Sequence, residues 1–154
     1  MDYSRVGRQL VLLWVFAVFW SVPARAEVAH TVATNYGVVE GLEEQGIAVF
    51  RGIPYAHPPV GPLRWQPPRP AAAYPEPLQA HAYGPRCMQR TSGDRPLPVS
   101  EDCLTLNVWS KQLQPAKQPV MVWIHGGGFR SGSGEIPGEV MARHGVVVVS
   151  FNYR

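Results

Sequence analysis

Residues 120–134, with the sequence VMVWIHGGGFRSGSG, join a short apolar run to three consecutive glycines. The six residues that end at His125 are mostly β-branched or aromatic and carry no fixed charge, so they predict a buried strand. Gly126, Gly127 and Gly128 lack a Cβ, which allows positive φ angles and a close approach of the backbone to a ligand. Their N–H groups could then converge on a developing oxyanion. The alternative is a glycine-rich turn that only reverses the chain direction, but the preceding strand favours the oxyanion interpretation.

A predicted helix and a second predicted strand follow the glycines. Residues 138–144 predict a short helix that ends at Gly145, a residue type common at helix C-termini. Residues 146–151 (VVVVSF) are typical of a strand buried on both faces. This order of elements predicts one crossover unit of a parallel sheet and therefore an α/β fold. Because the chain offers little to cover residues 146–151, we expect it to be the beginning of a larger domain, and that strand to be an unpaired edge without later segments.

The region before these elements begins with a predicted hairpin. Residues 28–53 alternate in polarity and break at glycines, as short antiparallel strands do, with a turn at residues 43–46. Residues 54–77 are rich in proline, which cannot pair regularly in a sheet, and they predict an extended loop. The aromatic residues with which this loop is expected to pack down are Tyr55, Trp65 and Tyr74.

Residues 104–109 (LTLNVW) predict another strand. Its alternation places Leu104, Leu106 and Val108 on one face. Only a short surface turn separates this strand from residues 120–125, which favours a hairpin-like antiparallel arrangement or an edge arrangement of the two.

Residues 1–26 show the three parts of a secretory signal peptide. Arg5 and Arg8 give a positive start, residues 10–20 (LVLLWVFAVFW) are apolar, and residues 24–26 (ARA) form a small-x-small cleavage site. A helix of that apolar length rises about 16 Å, which is too short for a hydrocarbon core of about 30 Å. We therefore expect export to the periplasm or the medium. A buried N-terminal helix and an uncleaved anchor are the alternatives.

Removal of the signal peptide changes the charge of the chain. The whole sequence has 14 basic and 11 acidic residues, a formal net charge of +3. Without the three arginines and one aspartate of residues 1–26, residues 27–154 carry 11 basic and 10 acidic residues, a net charge of +1. No basic cluster remains to indicate nucleic-acid binding. We expect residues 27–154 to form one incomplete domain with no membrane span.

Cys87 and Cys103 are the two cysteines of the sequence. An oxidising compartment would allow them to pair across fifteen intervening residues. In the chain-entropy model such a loop contributes about 3 kcal/mol to stability. Two free buried cysteines are the alternative. Two cysteines without a nearby histidine do not complete a four-ligand set, so the sequence predicts no metal site.

Four segments together resemble one known family, the carboxylesterase type-B, or cholinesterase-like, family of α/β-hydrolases. They are FRGIPYAHPPVGPLRWQPPRP at residues 50–70, EDCLTLNVW at 101–109, VWIHGGGFRSGSG at 122–134 and VVVVSFNYR at 146–154. The resemblance covers nearly all of residues 27–154, in the order of the family. Minor departures are Thr105, where the family often has an aromatic residue, and Trp65, which replaces a phenylalanine. The implied fold is the N-terminal part of an α/β-hydrolase, with a β-hairpin and the first strands of the central mixed sheet.

The resemblance also implies roles for particular residues. Gly127 and Gly128 match the glycines that form the oxyanion hole, and His125 and Gly126 would support their loop. The other implied features are a disulfide between Cys87 and Cys103 and a structural salt bridge between Arg64 and Glu101.

The implied reaction is ester hydrolysis by a serine, a histidine and a carboxylate, with the serine in a G-x-S-x-G pentapeptide. Ser131 and Ser133 lie in SGSG but do not fit this pattern, and no other serine of the sequence does. We expect the three catalytic residues after Arg154, and we expect this chain to be inactive alone. The expected substrate is a small carboxylic ester, without cofactor or metal. The alternative is a non-catalytic binding or adhesion module with the same fold; the sequence does not indicate an oligomeric state.

Overall fold

The computed structural model describes residues 29–90, 98–111, 113 and 117–154. The expected signal peptide lies outside these residues. The elements of the described chain, in order, are the strands β1 (Ala29–Thr34), β2 (Gly37–Glu44) and β3 (Ile47–Pro54), a 3₁₀ turn (Gly61–Leu63), the strands β4 (Leu78–Gln79), β5 (Arg86–Cys87), β6 (Val99–Ser100), β7 (Thr105–Ser110) and β8 (Val120–Trp123), the helix α1 (Glu139–Ala142) and the strand β9 (Val147–Phe151).

One mixed sheet dominates the structure, with the strand order β1-β2-β3-β7-β9-β8 and β4 alongside β2. Along this order, each strand from β1 to β9 is antiparallel to the next, and the last pair, β9 and β8, is parallel. A separate small pair joins β5 to β6. The core lies on both faces of β3. Ile47, Val49 and Trp109 are buried on one face, and Ala48 and Phe50 are buried on the other.

The predicted hairpin near the N-terminus is confirmed as part of a three-stranded meander, β1 to β3. The turn between β2 and β3 consists of Gln45 and Gly46, with φ angles of 53° and 77°. Positive φ at both central residues is the feature of the type I′ turn, whose twist matches that of the flanking strands. The sequence placed this turn at residues 43–46, so its position was correct.

The extended loop predicted for residues 54–77 is also present, but one of its aromatic residues does not pack. The Tyr74 hydroxyl donates to the Pro54 carbonyl over 2.9 Å, and the Tyr55 hydroxyl donates to the Asn152 carbonyl over 2.7 Å. Trp65, in contrast, is 89% exposed, so the expectation that it anchors the loop was wrong. Its φ angle of 65° belongs to the turn that follows the 3₁₀ segment.

β7 is a central strand, and its two faces are buried to different depths. Thr105, Asn107 and Trp109 are buried, whereas Leu106 and Val108 are only partly buried. Gly138, next to α1, lies directly on the Trp109 ring and closes the first of these faces. The second face lines an open groove, so its apolar side chains stay accessible.

The order β8, α1, β9 forms the predicted parallel crossover unit. β9 pairs with β8 in parallel and with β7 in antiparallel orientation, which makes it an interior strand. Gly145, with φ of 80°, follows α1 as the sequence predicted, although the helix is shorter than expected. The hairpin-like pairing of β7 with β8 was wrong, because β9 lies between them. The expectation that residues 146–151 form the unpaired edge was wrong for the same reason.

β8 is the edge strand instead, and it is shorter and more exposed than predicted. The strand ends at Trp123, two residues before His125, and among the described residues it pairs with β9 alone. Val120 is 62% exposed and Val122 is 54% exposed. The apolar sequence of this segment correctly predicted a strand, but no described element covers it.

Candidate active site

The glycine segment leaves the sheet at the carboxyl ends of two neighbouring parallel strands. β8 ends at Trp123, opposite Ser150 of β9, so the chain after each strand emerges at the same edge. In α/β sheets, ligands bind in the crevice outside such carboxyl ends. The residues that meet here are His125 to Gly134 after β8 and Asn152 to Arg154 after β9. We call residues 125–134 the glycine loop.

The backbone of the glycine loop adopts conformations that favour glycine. Gly127 and Gly128 have φ angles of 124° and 60°, and Phe129 follows with 57°. The carbonyl of Gly127 accepts a hydrogen bond from the Arg130 N–H over 3.1 Å, which closes a tight turn. Phe129 therefore holds a conformation that costs a non-glycine residue about 1 kcal/mol or more, and its ring is 97% exposed.

Gly127 and Gly128 require glycine for different reasons. A Cβ on Gly127 would overlap the carbonyl oxygen of Ser131, so this position lacks space as well as having a positive φ. A Cβ on Gly128 would meet nothing within 4 Å, so only the φ angle restricts that position. Among the described residues, no group accepts a hydrogen bond from the N–H of Gly127 or Gly128. Both glycines are exposed, so these two neighbouring donors can reach a ligand.

His125 lies at the start of the loop and contacts the segment that follows β9. Its ring stacks on the ring of Tyr153, with centroids 4.2 Å apart, and its Nδ1 lies 2.8 Å from the Gly126 carbonyl oxygen. The Tyr153 hydroxyl donates to the His125 carbonyl. The two segments that leave β8 and β9 are thus fixed to each other, as expected for a histidine that orders the loop.

Gln89 holds the far end of the loop. Its side-chain Nε2 donates to the carbonyl of Gly132 over 2.8 Å, and its Oε1 accepts from the N–H of the same residue over 2.9 Å. Nε2 also lies 3.0 Å from the Cys87 carbonyl. One side-chain amide therefore pairs with both backbone hydrogen-bonding groups of Gly132.

A buried polar network fixes the residue at which the loop returns to the sheet. The Asn107 Nδ2 donates to the Gly134 carbonyl over 3.1 Å and lies 3.0 Å from the Ser150 Oγ, which also donates to that carbonyl. The Asn152 Oδ1 accepts from the Gly134 N–H over 2.8 Å. The Asn107 Oδ1 accepts from the Gly52 N–H over 2.9 Å. Asn107, Ser150 and Asn152 are all buried, and these bonds satisfy polar groups whose burial would otherwise be costly.

Sequence reasoning did not identify Gln89, Asn107, Ser150, Asn152 or Tyr153 as parts of this site. A signal was present for two of them, because asparagine and serine interrupt otherwise apolar strands at positions 107 and 150. Buried polar residues in a strand need partners, so these interruptions predict a polar network. Gln89 gave no such signal, since its partner lies 43 residues away in the sequence.

The predicted disulfide is present between Cys87 and Cys103. Both cysteines are buried, and they pack with Ala56 and Leu104. The predicted ion pair is also present: the Arg64 guanidinium contacts the Glu101 carboxylate, with one bond of 2.6 Å. This hydrogen bond raises the pKa of the exposed Arg64 side chain above its ordinary value.

A cavity of about 100 Å³ lies against the glycine loop. Its wall includes Met88, Gln89, Phe129 and Arg130, and Tyr153 and Arg154 contribute from the segment after β9. In the part of the chain that the structure describes, no group of three or more histidine, cysteine, aspartate or glutamate side chains could hold a metal ion. None of the described helices has the length and apolar character to cross a bilayer.

Comparison with known proteins identifies the family. The model of the carboxylesterase family matches residues 28–154. Phenmedipham hydrolase from Pseudarthrobacter oxydans is 46% identical over 139 residues, which cover 82% of this chain and 28% of that protein. Fumonisin B1 esterase from Sphingopyxis macrogoltabida is 47% identical over 128 residues, which cover 79% of this chain and 24% of that protein.

Solved structures with a similar fold are also carboxylesterases. A crystal structure of carboxylesterase EST55 from Geobacillus stearothermophilus, at pH 6.2, matches with a TM-score of 0.74 and 45% identity, over 80% of this chain and 26% of that one. This chain spans 28% and 24% of the length of the two relatives named above. Its mixed sheet is the N-terminal part of an α/β-hydrolase fold, and the chain belongs to the type-B carboxylesterase family.

Proposed function

We propose that the protein to which this chain contributes is a carboxylic ester hydrolase, and that this chain supplies its oxyanion hole. The observation that carries the proposal is that Gly127 and Gly128 are exposed neighbours on a turn at the carboxyl end of β8, and that no described group accepts a hydrogen bond from their N–H groups. Two backbone donors held in place before the reaction suit an oxygen that gains negative charge in the transition state. Membership of the carboxylesterase family supports the same chemistry.

The proposed reaction has two steps. A serine hydroxyl attacks the ester carbonyl carbon, a histidine takes the hydroxyl proton, and the carbonyl electron pair moves onto the oxygen. The N–H groups of Gly127 and Gly128 donate to that oxyanion until the tetrahedral intermediate expels the alcohol, which receives the proton. Water then attacks the acyl-enzyme through the same states and releases the acid. No cofactor takes part.

We place the serine, the histidine and the carboxylate in sequence that follows Arg154. The absence of a G-x-S-x-G pentapeptide from the 154 residues supports this placement. His125 is stacked on Tyr153 and bonded to Gly126, so its geometry supports a role in the loop and not that of the general base. Reading the coding sequence downstream for G-x-S-x-G, a carboxylate and a histidine tests the placement directly.

The substrate class follows from the chemistry of the loop and from the relatives. The proposed substrate is a small-molecule carboxylic ester, and two of the relatives are named for the hydrolysis of phenmedipham and of fumonisin B1. The signal-like residues 1–26 support export. N-terminal sequencing of the secreted or periplasmic protein should therefore begin at Glu27.

The complete protein should hydrolyse a short-chain aryl ester, and a fluorophosphonate should inactivate it by labelling one serine. Mass spectrometry of the labelled digest should place that serine outside residues 1–154. A complete protein that neither hydrolyses the ester nor reacts with the fluorophosphonate would contradict the proposal and favour a binding module with the same fold.

A further inference from the structure

The side chain of Gln89 makes a two-bond contact with the glycine loop. Its amide accepts from the N–H of Gly132 over 2.9 Å and donates to the carbonyl of the same residue over 2.8 Å. Two opposed hydrogen bonds to one residue fix both its position and its orientation, as one rung of an antiparallel ladder does. Gly132 itself has a φ angle of 127°, so it holds a conformation that favours glycine.

The contact at Gly132 reaches the oxyanion donors through a short chain of close packing. Gly132 lies directly against the His125 ring and the Gly126 carbonyl, where a Cβ would overlap both groups. The carbonyl of the preceding Ser131 lies against Gly127, where a Cβ would overlap it in the same way. A displacement of residues 131 and 132 toward residues 125–127 would therefore displace those residues as well, because the two segments are in direct contact at Gly127 and Gly132.

Gln89 also bonds to a residue of the disulfide. Its Nε2 lies 3.0 Å from the carbonyl of Cys87, whose sulfur is bonded to Cys103. Cys103 is 1% exposed and packs in a small core with Ala56 and Leu104. The glycine loop is thus connected to the disulfide by one side chain.

We propose that Gln89 is a positioning residue for the oxyanion hole. Through its bonds to Gly132, it fixes the positions of Gly127 and Gly128. This inference rests on the proposed function. Interactions that are made only in the transition state affect kcat, whereas interactions that bind substrate and transition state equally affect KM. Because the ground-state carbonyl needs little from the oxyanion donors, Gln89 acts on kcat.

The test is Gln89→Met in the complete enzyme, with hydrolysis of a short-chain aryl ester as the assay. Methionine has nearly the same length and shape but pairs with neither backbone group of Gly132. We expect kcat to fall by about 10- to 100-fold, the range for a displaced catalytic donor, while KM changes by less than about 3-fold. The matched control is Gln79→Met on β4, which removes an exposed side-chain bond to Glu40 of β2 and should leave both constants unchanged.

A trifluoromethyl ketone inhibitor provides a second readout that a merely structural role would not move. It adds to the serine as a hemiketal and places an oxyanion in the hole, so its affinity reports on the donors directly. In Gln89→Met the inhibition constant should rise by the same factor by which kcat/KM falls. An unchanged inhibition constant beside a reduced kcat would overturn the positioning role.

Gln89→Glu separates the two bonds. A carboxyl group keeps the acceptor for the Gly132 N–H, but it donates to the Gly132 carbonyl only when it is protonated. The ratio of the variant's kcat to the wild-type kcat should therefore rise as pH falls through the pKa of the new carboxyl group. A ratio that is flat with pH would contradict the role of the Nε2 bond.

The outcomes distinguish the inference from the function on which it rests. A wild-type protein without esterase activity removes both the proposed function and the inference. An active wild-type with a Gln89→Met variant of unchanged kcat overturns the inference alone.

Discussion

The two edge strands of the sheet have opposite chemical character. β1 (AHTVAT) carries His30, Thr31 and Thr34 among small residues, and it ends the sheet with polar side chains. β8 (VMVW) ends the other side with valine, methionine and tryptophan, and three of its four residues are exposed. Both strands lie at the edge among the described residues, so position in the sheet does not explain the difference.

The difference indicates which side of the sheet is built to remain an edge. Natural proteins protect exposed edges with polar or charged side chains, and an apolar edge pairs readily with another strand. β1 follows this rule and β8 does not. The glycine loop begins after the end of β8, so the unprotected edge and the proposed oxyanion hole lie on the same side of the sheet.

The largest expected effect concerns residues 27–154 produced alone. We expect this segment to associate through β8 and to show no esterase activity, because Val120 and Val122 present an apolar edge and the proposed serine is absent. A sizing column and an aryl-ester assay measure the two properties. A well-dispersed monomer, or hydrolysis that a fluorophosphonate abolishes, would contradict the corresponding half of this prediction.

The comparison of the edges supplies the control for association. Val120→Lys together with Val122→Lys should reduce the associated fraction, because charge on an edge opposes strand pairing. Thr31→Lys together with Ala33→Lys adds the same charge to β1 and should change the associated fraction little. Equal effects of the two pairs would show that net charge, and not the β8 edge, controls association.

Gly127 and Gly37 allow a second test, because they have nearly the same backbone conformation on opposite sides of the sheet. Their φ angles are 124° and 127°, and a Cβ at Gly37 would lie 2.8 Å from the Tyr74 carbonyl oxygen. In the complete enzyme, Gly127→Ala should lower kcat by about 10²- to 10³-fold through the loss of one oxyanion donor. Gly37→Ala should lower the melting temperature and leave kcat within about 2-fold, since strain there costs stability alone.

Gly128→Ala refines this test. Only the φ angle of 60° opposes a side chain at Gly128, whereas Gly127 lacks space as well. We therefore expect Gly128→Ala to reduce kcat less than Gly127→Ala does. The measurement is kcat for Gly127→Ala, Gly128→Ala and Gly37→Ala. If Gly127→Ala keeps kcat within a few fold of the wild type, the oxyanion assignment is wrong.

Most of the strands could be predicted from periodicity, but their order in the sheet could not. The run at residues 146–151 correctly indicated a strand, although only the face with Val148 and Ser150 is fully buried. The apolar run before the glycines correctly indicated its neighbour, which ends at Trp123. Side-chain patterns report on the two faces of a strand and not on its edges. For this reason the sequence could not show that β9 lies between β7 and β8, or that β8 is the exposed edge.

The site was predictable where the backbone determines it and not where distant side chains do. Glycines at Gly127 and Gly128 are readable because few other residue types adopt their φ angles. The deep burial of Asn107 in LTLNVW could not be predicted, because it depends on a network that includes Ser150, 43 residues away. Such long-range polar partners leave no local periodicity in the sequence.

The disulfide between Cys87 and Cys103 lies on the same side of the molecule as the glycine loop. Its removal should moderately reduce the stability of the protein. For Cys87→Ala with Cys103→Ala we expect the free energy of unfolding to fall by about 3 kcal/mol, the value for a loop of this length. Urea denaturation of the complete, oxidised enzyme measures this loss. In the wild type, a non-reduced digest should contain the two cysteine peptides joined; free thiols in the native, oxidised protein would contradict the bond.

The smallest expected effect lies on the β1 side, at the ion pair of Glu44 and Arg51. Two hydrogen bonds from the Arg51 guanidinium lower the pKa of the Glu44 carboxyl group below its ordinary value of 4.5. The same bonds raise the pKa of Arg51, which remains charged throughout. The folded protein therefore binds a proton at Glu44 less readily than the unfolded chain does. The stabilisation from this pair is complete above pH 4.5 and disappears as pH falls through the folded-state pKa.

Glu44→Gln should consequently reduce the free energy of unfolding at pH 7 but not at a pH below the folded-state pKa of Glu44. The Glu44 side chain is 36% exposed, so solvent screens the pair and the reduction should be about 0.5–1 kcal/mol. Glu76→Gln, an exposed substitution in the proline-rich loop, removes the same charge and should show no such pH dependence. Denaturant titrations of the three proteins at both pH values measure the difference. If Glu44→Gln lowers the free energy of unfolding equally at both pH values, the loss comes from packing, and the electrostatic contribution of the Glu44–Arg51 pair is contradicted.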